Sequence, residues 1–368
     1  MKNKVILEIC LSPDAGGLEL YMVKLSHFLH TKTEVISVIS NSGSLEKYYE
    51  GSDYKYEKLQ KRSTLLSWIS ARKLAKIIDE NNVDLIHLHW TKDLLICVLA
   101  KLISKRRVKI VQSRHMTMTR FKDDFYHRFI YKNIDMIVAV TKQVKEQIHK
   151  FLPQDVSPAV KTIYIGAEIP QKIDELQKQA LKTKYSLENS FVVGIVGRIE
   201  KAKGQYLVIQ ALKKLLSEGI DVKLLIVGHA MDAIYLQELQ KEIAQNKMTK
   251  NVIFTGFSSE VQELMQVCDT IVLATNKETF GLVLIEAMAS NIAVVASNSG
   301  GPLEIIEDKV SGLLFETNDS ESLMECLKEL LDTKLRTKIS LSGQQRAKKM
   351  FESQKQFEEL FVCLNTID

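Results

Sequence analysis

The chain has 368 residues, enough for two domains of ordinary size. Hydrophobic residues make up 45% of it and charged residues 26%, with only 16 Gly and 5 Pro, which excludes collagen-like and low-complexity disordered chains. The net charge of +5 is unevenly spread: residues 1–170 hold 27 Lys and Arg against 18 Asp and Glu, whereas residues 171–368 hold 23 against 27.

The apolar run from Val5 to Cys10 ends in Leu11-Ser12-Pro13-Asp14-Ala15-Gly16-Gly17, after which Tyr21, Leu25, Phe28 and Leu29 recur at helical spacing. That pattern predicts strand, glycine turn and helix. The breaks at Glu8 and at Pro13-Asp14 leave no signal-peptide core, so no export signal is read. Strands are expected at 34–40, 84–89, 109–113 and 136–140, with helices at 68–79, 94–103 and 124–132 between them. The run from Leu94 to Leu99 is too short to cross a bilayer. His87 and His89 are read as structural residues on opposite faces of their strand.

After a Lys- and Gln-rich stretch a second series begins. Strands are expected at 191–196, 223–227, 252–254, 270–273 and 293–296, helices at 205–216, 234–244, 261–267 and 282–289, and further helices from 320 onward. Near-continuous apolar strands alternating with helices predict an α/β chain of two doubly wound parallel sheets, each covered on both faces. The expected division is 1–170, a linker at 171–189, and 190–351, with a terminal helix at about 352–368 returning to the first domain. Ligands of such sheets bind at the carboxyl ends of the strands.

Cys10, Cys97, Cys268, Cys326 and Cys363 are odd in number and contain no CxxC pair. This argues against a disulfide framework, a zinc site or an iron–sulfur cluster, and a cytoplasmic protein is expected. Residues 101–150 hold 13 basic and 4 acidic side chains, interleaved near Arg120 with Phe121, Phe125, Tyr126, Phe129 and Tyr131. Such a stretch suits an anionic surface and equally a solvated helix face.

Three places carry candidate chemistry. Gly16-Gly17, and the segment Gly197-Arg198-Ile199-Glu200-Lys201-Ala202-Lys203-Gly204, are turns where backbone N–H groups can approach an anion, and in the second Arg198 and Lys203 add a planar fork and a point charge. Neither is a GxxxxGK[ST] loop, and Gly194-Ile195-Val196-Gly197 does not make GxGxxG. In the third place, Glu278-Thr279-Phe280-Gly281 precedes a largely apolar helix that contains Glu286. A carboxylate there requires a partner.

Taken together, Glu278 and Glu286 as E-x7-E, GR-x4-KG at 197–204, the Gly16-Gly17 turn, and Gly300-Gly301 with Glu304 before Ser311-Gly312-Leu313-Leu314 resemble the family 4 retaining glycosyltransferases of GT-B fold. The resemblance runs essentially end to end and is strongest from Val193 to Phe315. It implies two Rossmann-like domains facing across a cleft, an acceptor-binding one first and a nucleotide-sugar-binding one second. It implies that Arg198 and Lys203 hold the donor diphosphate, that Glu278 orients the transferred sugar, and that Gly197, Thr279 and the N–H groups of Phe280, Gly281 and Leu282 line the donor site. Glu286 would hold the ribose, Gly16 and Gly17 would close on the diphosphate, and His115 would face the reacting sugar.

The donor so implied is a nucleoside-diphosphate sugar, UDP- or GDP-linked, with no metal or other cofactor required. The acceptor is a glycan or lipid-linked glycan of cell-envelope polysaccharide, of the lipopolysaccharide type. An anionic membrane surface is an expected partner, at the inner face of the cytoplasmic membrane, and nucleic acid is not. Ile165 stands where many members have Asn, and His229-Ala230 where a second glycine is common. Two alternatives stay open: a nucleotide-sugar 2-epimerase of the same architecture, whose acidic groups at the sugar C2 cannot be assigned, and a non-catalytic sugar-nucleotide binder.

Overall fold

The computed structural model describes residues 4–14, 16–60 and 66–367. They form two compact units, one of Met1–Tyr164 with Gln354–Asp368 and the other of Ile165–Ser353. In the first, β1 (Ile6–Cys10), α1 (Gly17–His30), β2 (Val35–Ser40), β3 (Tyr56–Leu59), α2 (Ser67–Glu80), β4 (Leu85–Leu88) and α3 (Leu94–Ile103) are followed by β5 (Lys109–Arg114), α4 (Phe125–Lys132), β6 (Met136–Ala139), α5 (Lys142–Phe151) and β7 (Ala159–Thr162). The sheet order is β3-β2-β1-β4-β5-β6-β7, and all pairs are parallel. Every residue of β1, β2 and β4 is buried, as a parallel sheet covered by helices on both faces demands.

The second unit runs α6 (Glu175–Lys184), β8 (Phe191–Val196), α7 (Gln205–Ser217), β9 (Val222–Val227), α8 (Ala233–Gln245), β10 (Val252–Gly256), α9 (Val261–Gln266), β11 (Thr270–Leu273) and α10 (Leu282–Ala289). It then continues through β12 (Ala293–Ser297), α11 (Pro302–Ile305), β13 (Leu313–Phe315), α12 (Ser320–Glu329) and α13 (Thr333–Met350). The sheet order is β10-β9-β8-β11-β12-β13, again parallel throughout. In both sheets the winding direction reverses beside the first strand, between β1 and β4 and between β8 and β11. Those two switch points are where the loops at the carboxyl ends part to leave a crevice.

The stretch 171–189 carries α6 and counts with the second unit. The helix α14 (Ser353–Asn365) counts with the first. There Phe357 meets Tyr21 and Phe28 with ring centroids 5.6 and 5.5 Å apart, Lys161 pairs with Glu359 at 3.3 Å, and the Cys363 thiol lies 3.4 Å from the Met136 sulfur. None of the five cysteines forms a disulfide, and all are buried. Among the described residues, no helix is long and apolar enough to cross a membrane.

Candidate active site

The β8 switch-point loop is shaped by glycines that admit no side chain. Gly197 and Gly204 have φ of +143° and +73°, and a Cβ on Gly204 would stand 2.3 Å from the Ala274 carbonyl oxygen. Gly228, at the end of β9, would meet the Gly197 carbonyl at 1.9 Å. Backbone from three neighbouring strands therefore packs directly at this edge. The buried Gln205 side chain donates to the Arg198 carbonyl at 2.9 Å and fixes the turn from behind.

Onto this scaffold the loop after β11 brings Glu278. Its Oε2 lies 3.3 Å from Lys203 Nζ, and both side chains are partly exposed, 19% and 29%. Arg198 is more open and pairs with Glu200 at 3.0 Å instead. The 278–281 loop is held by the Gly301 N–H, which donates to the Glu278 carbonyl at 3.0 Å, and a Cβ on Gly301 would stand 2.2 Å from the Phe280 oxygen. Phe280 is buried, edge-on to Phe351 at 6.1 Å, while Thr279 remains half-exposed. Gly281, with φ +103°, is the N-cap of α10 and offers no side chain to its first N–H groups. On that helix Leu282, Val283 and Glu286 are half-buried on one face and the rest is packed inward, so Glu286 stands one to two turns along the same open side as the N-terminus.

Gly16, Gly17 and His115 stand at the corresponding edge of the first sheet. Gly16 caps α1, but its N–H is taken by the Glu19 carboxylate at 2.9 Å, a capping-box contact; Gly17 opens the helix. His115 follows β5 and meets Tyr21 of α1 edge-on at 5.2 Å.

Behind His115 lies a polar cluster that sequence reasoning missed. Glu8 of β1, fully buried, contacts His87 Nδ1 at 2.8 Å and His89 Nε2 at 2.6 Å; His87 Nε2 reaches the Ser113 hydroxyl at 2.8 Å, and His89 Nδ1 lies 3.2 Å from His115 Nε2. The two histidines share one face, contrary to the expectation of opposite faces. In a strand, residues two apart point the same way. Burial pushes the Glu8 carboxyl up, but the charges and hydrogen bonds of His87 and His89 bring it down to about 2. Burial and the nearby His87 hold His89 down, at about 4, and burial with both neighbouring histidines keeps His115 well below its ordinary value. Glu8, His87 and His89 each offer a ligand atom within 4.8 Å of the others, the spacing of a metal site. The carboxylate already serves as hydrogen-bond acceptor to both rings, which gives the cluster a role without an ion.

The basic stretch is partly neutralised: Lys101 and Lys109 pair with Asp135 at 2.6 and 3.3 Å, Arg106 with Asp84 at 2.8 Å, and Arg128 with Asp123 at 2.6 Å. Three apolar residues near it are nonetheless open, with Phe125 87%, Phe121 67% and Met116 59% exposed, whereas Tyr131 is buried and Phe129 packs against the core. His229 is an exposed loop residue 3.2 Å from the Met231 sulfur.

Residues 177–346 match the model of the glycosyl transferases group 1, and residues 8–141 that of the glycosyl transferase 4-like family. The chain is 29% identical over 304 residues to N-acetyl-alpha-D-glucosaminyl L-malate synthase of Bacillus anthracis, covering 79% of this chain and 77% of that protein. It is 26% identical over 354 residues to the capsular polysaccharide biosynthesis glycosyltransferase CapM of Staphylococcus aureus, covering 92% of each. The crystal structure of Anabaena Alr3699/HepE in complex with UDP and glucose superposes with a TM-score of 0.87 at 23% identity, over 99% of this chain and 100% of that one, which shows a shared fold.

Proposed function

We propose that this chain, which belongs to the family 4 glycosyltransferases of GT-B fold, moves a sugar from a UDP-linked donor to a glycan or lipid-linked glycan of the cell envelope, with retention of anomeric configuration. The observation that carries the reading is the Lys203–Glu278 pair at the β8/β11 switch point, beside the N-terminus of α10, where the N-cap Gly281 makes no side-chain cap hydrogen bond. The choice of UDP is supported by the Anabaena neighbour of the same fold, solved with UDP and glucose.

In this reading Lys203 and Arg198 bind the diphosphate, and with the N–H groups of Phe280 to Leu282 at the entry to α10 they stabilise it as it leaves. As the bond between the sugar C1 and the diphosphate oxygen breaks, its electron pair stays on that oxygen and negative charge grows where these cations already stand. The acceptor hydroxyl forms the new bond to C1 from the face the diphosphate departs, and its proton passes to the leaving phosphate. Glu278 holds the sugar hydroxyls and Glu286 the ribose, so that most of the remaining advantage is positional. Gly16, its N–H held by Glu19, shapes the turn from which Gly17 contributes to diphosphate binding, and His115 contributes to the sugar.

Exposed Phe121, Phe125 and Met116 amid Arg120 and Lys122 support a peripheral membrane site, as a lipid-linked acceptor would need. The Bacillus anthracis relative, named for L-malate, favours a second reading in which a small hydroxy acid is the acceptor. The test is transfer from an α-linked UDP-sugar to a diphospholipid-linked glycan and, separately, to L-malate, with the anomeric configuration of the product read by NMR. An α-product on the lipid glycan supports the proposal. A β-product contradicts retention, and transfer to malate alone selects the second reading.

A further inference from the structure

The polar chain Ser113–His87–Glu8–His89–His115 crosses β1, β4 and β5 and ends at the one histidine assigned to the sugar. We infer that Glu8 and His89 are positioning residues for His115, fixing it as the neutral tautomer with its proton on Nε2 and a hydrogen-bond-accepting lone pair on Nδ1. The inference rests on the reading of His115 above.

An ionised carboxylate only accepts, so the ring nitrogens against Glu8, His87 Nδ1 and His89 Nε2, both carry hydrogens. On the His87 side the assignment stops at Ser113, because a hydroxyl both donates and accepts. On the His89 side it propagates. His89, kept neutral by burial and by His87, has one N–H and has given it to Glu8, so its Nδ1 is a lone pair. The atom facing that lone pair at 3.2 Å is His115 Nε2, which must therefore be the donor. A neutral His115 then has its remaining lone pair on Nδ1, and that atom is buried with no hydrogen-bond partner among the described residues. Tyr21 packs edge-on against both rings at 5.9 and 5.2 Å. A lone pair of this kind takes a hydroxyl donor and repels an anion, so the ligand group it fits is a sugar hydroxyl and not the diphosphate.

The test is nitrogen-15 NMR of the full chain labelled at histidine, with His115 assigned by its loss in His115→Gln. The expected spectrum at neutral pH has a pyrrole-type nitrogen at His115 Nε2 and a pyridine-type nitrogen at Nδ1. His89→Phe should release this preference into a mixture of tautomers, with His127 and His229 signals unmoved as the check on folding. The opposite tautomer or an imidazolium in the unaltered chain overturns the inference, and so does a single unchanged tautomer in a folded His89→Phe. UDP-glucose is then added: a shift at Nδ1 supports the hydroxyl contact. The expected tautomer with no shift leaves the relay in place and removes His115 from the sugar site, a failure of the functional reading alone.

Discussion

Lys203 Nζ and Glu278 Oε2 stand 3.3 Å apart although their residues are 75 positions apart in the chain. They meet because β8 and β11 are neighbours in the sheet, paired at Thr270 with Val193 and Ile271 with Gly194, and each is followed by a loop that turns toward the same switch point. The cation proposed to bind diphosphate and the carboxylate proposed to orient the sugar thus hold each other in place before any substrate arrives.

Removing the cation should separate catalysis from folding. Lys203→Ala is expected to lower turnover by roughly 10²–10³-fold, the scale of losing one stabilising group at a developing charge. The pair is partly exposed, so stability should change by no more than about 1 kcal/mol. Steady-state release of nucleoside diphosphate, together with a thermal melt, checks both halves.

Gly301→Ala should act through the loop it supports. Its Cβ would lie 2.2 Å from the Phe280 oxygen, so the 278–281 segment must shift. We expect donor affinity to fall and stability to drop by about 1–3 kcal/mol, the range for forcing a methyl into a packed site. Calorimetric titration with UDP, compared with denaturant melts, reads the two effects separately.

The buried histidines make the fold acid-sensitive. His89 takes up its proton near 6.5 when unfolded but only at about 4 when folded, and His115 is lowered in the same direction. The unfolded chain therefore binds more protons between those values, and stability falls as pH drops through that window. Glu8, at about 2 against an ordinary 4.5, extends the loss below pH 4.5. At about 1.4 kcal/mol per unit, the decline from pH 7 to 4.5 should be a few kcal/mol. Melting temperatures across that range should fall steadily, and less steeply in His89→Phe; a level profile would mean the histidines titrate normally.

The membrane proposal is tested on its apolar members, because many of its cations already have partners. Phe121→Ser combined with Phe125→Ser should weaken binding to anionic vesicles by at least about tenfold, given the free energy of burying a phenyl ring. Co-sedimentation measures this, and equal binding by the double variant would point to another surface.

Much of this was legible in the sequence, for physical reasons. Strands such as Phe191–Val196 and Thr270–Leu273 are short apolar runs, the first closed by Gly197 and the second preceded by Asp269, and helices such as Leu282–Ala289 keep their spacing, so their bounds could be read directly. The edge strand Tyr56–Leu59 could not, because two of its four side chains are exposed and its pattern looks like loop. Lys142–Phe151 was equally silent, with only Val144 and Ile148 buried. Within the candidate site, residue types and spacing singled out Arg198, Lys203, Glu278 and Glu286. Which of them pair is a matter of strand order, which spacing does not encode. Glu8 was the largest omission: in the chain it is one charge interrupting an apolar strand, and only the adjacency of β1 and β4 gives it two histidine partners.

The central claim is tested most directly by offering the purified chain a panel of UDP-, GDP- and ADP-sugars and measuring nucleoside diphosphate release beside thermal stabilisation, with Glu278→Gln as the control. The account predicts that a UDP-sugar both stabilises the protein and is slowly cleaved, and that the variant still folds but cleaves it at least about a hundredfold more slowly. A chain that none of the sugars stabilises and that releases no nucleotide, or a Glu278→Gln variant as active as the parent, would contradict it.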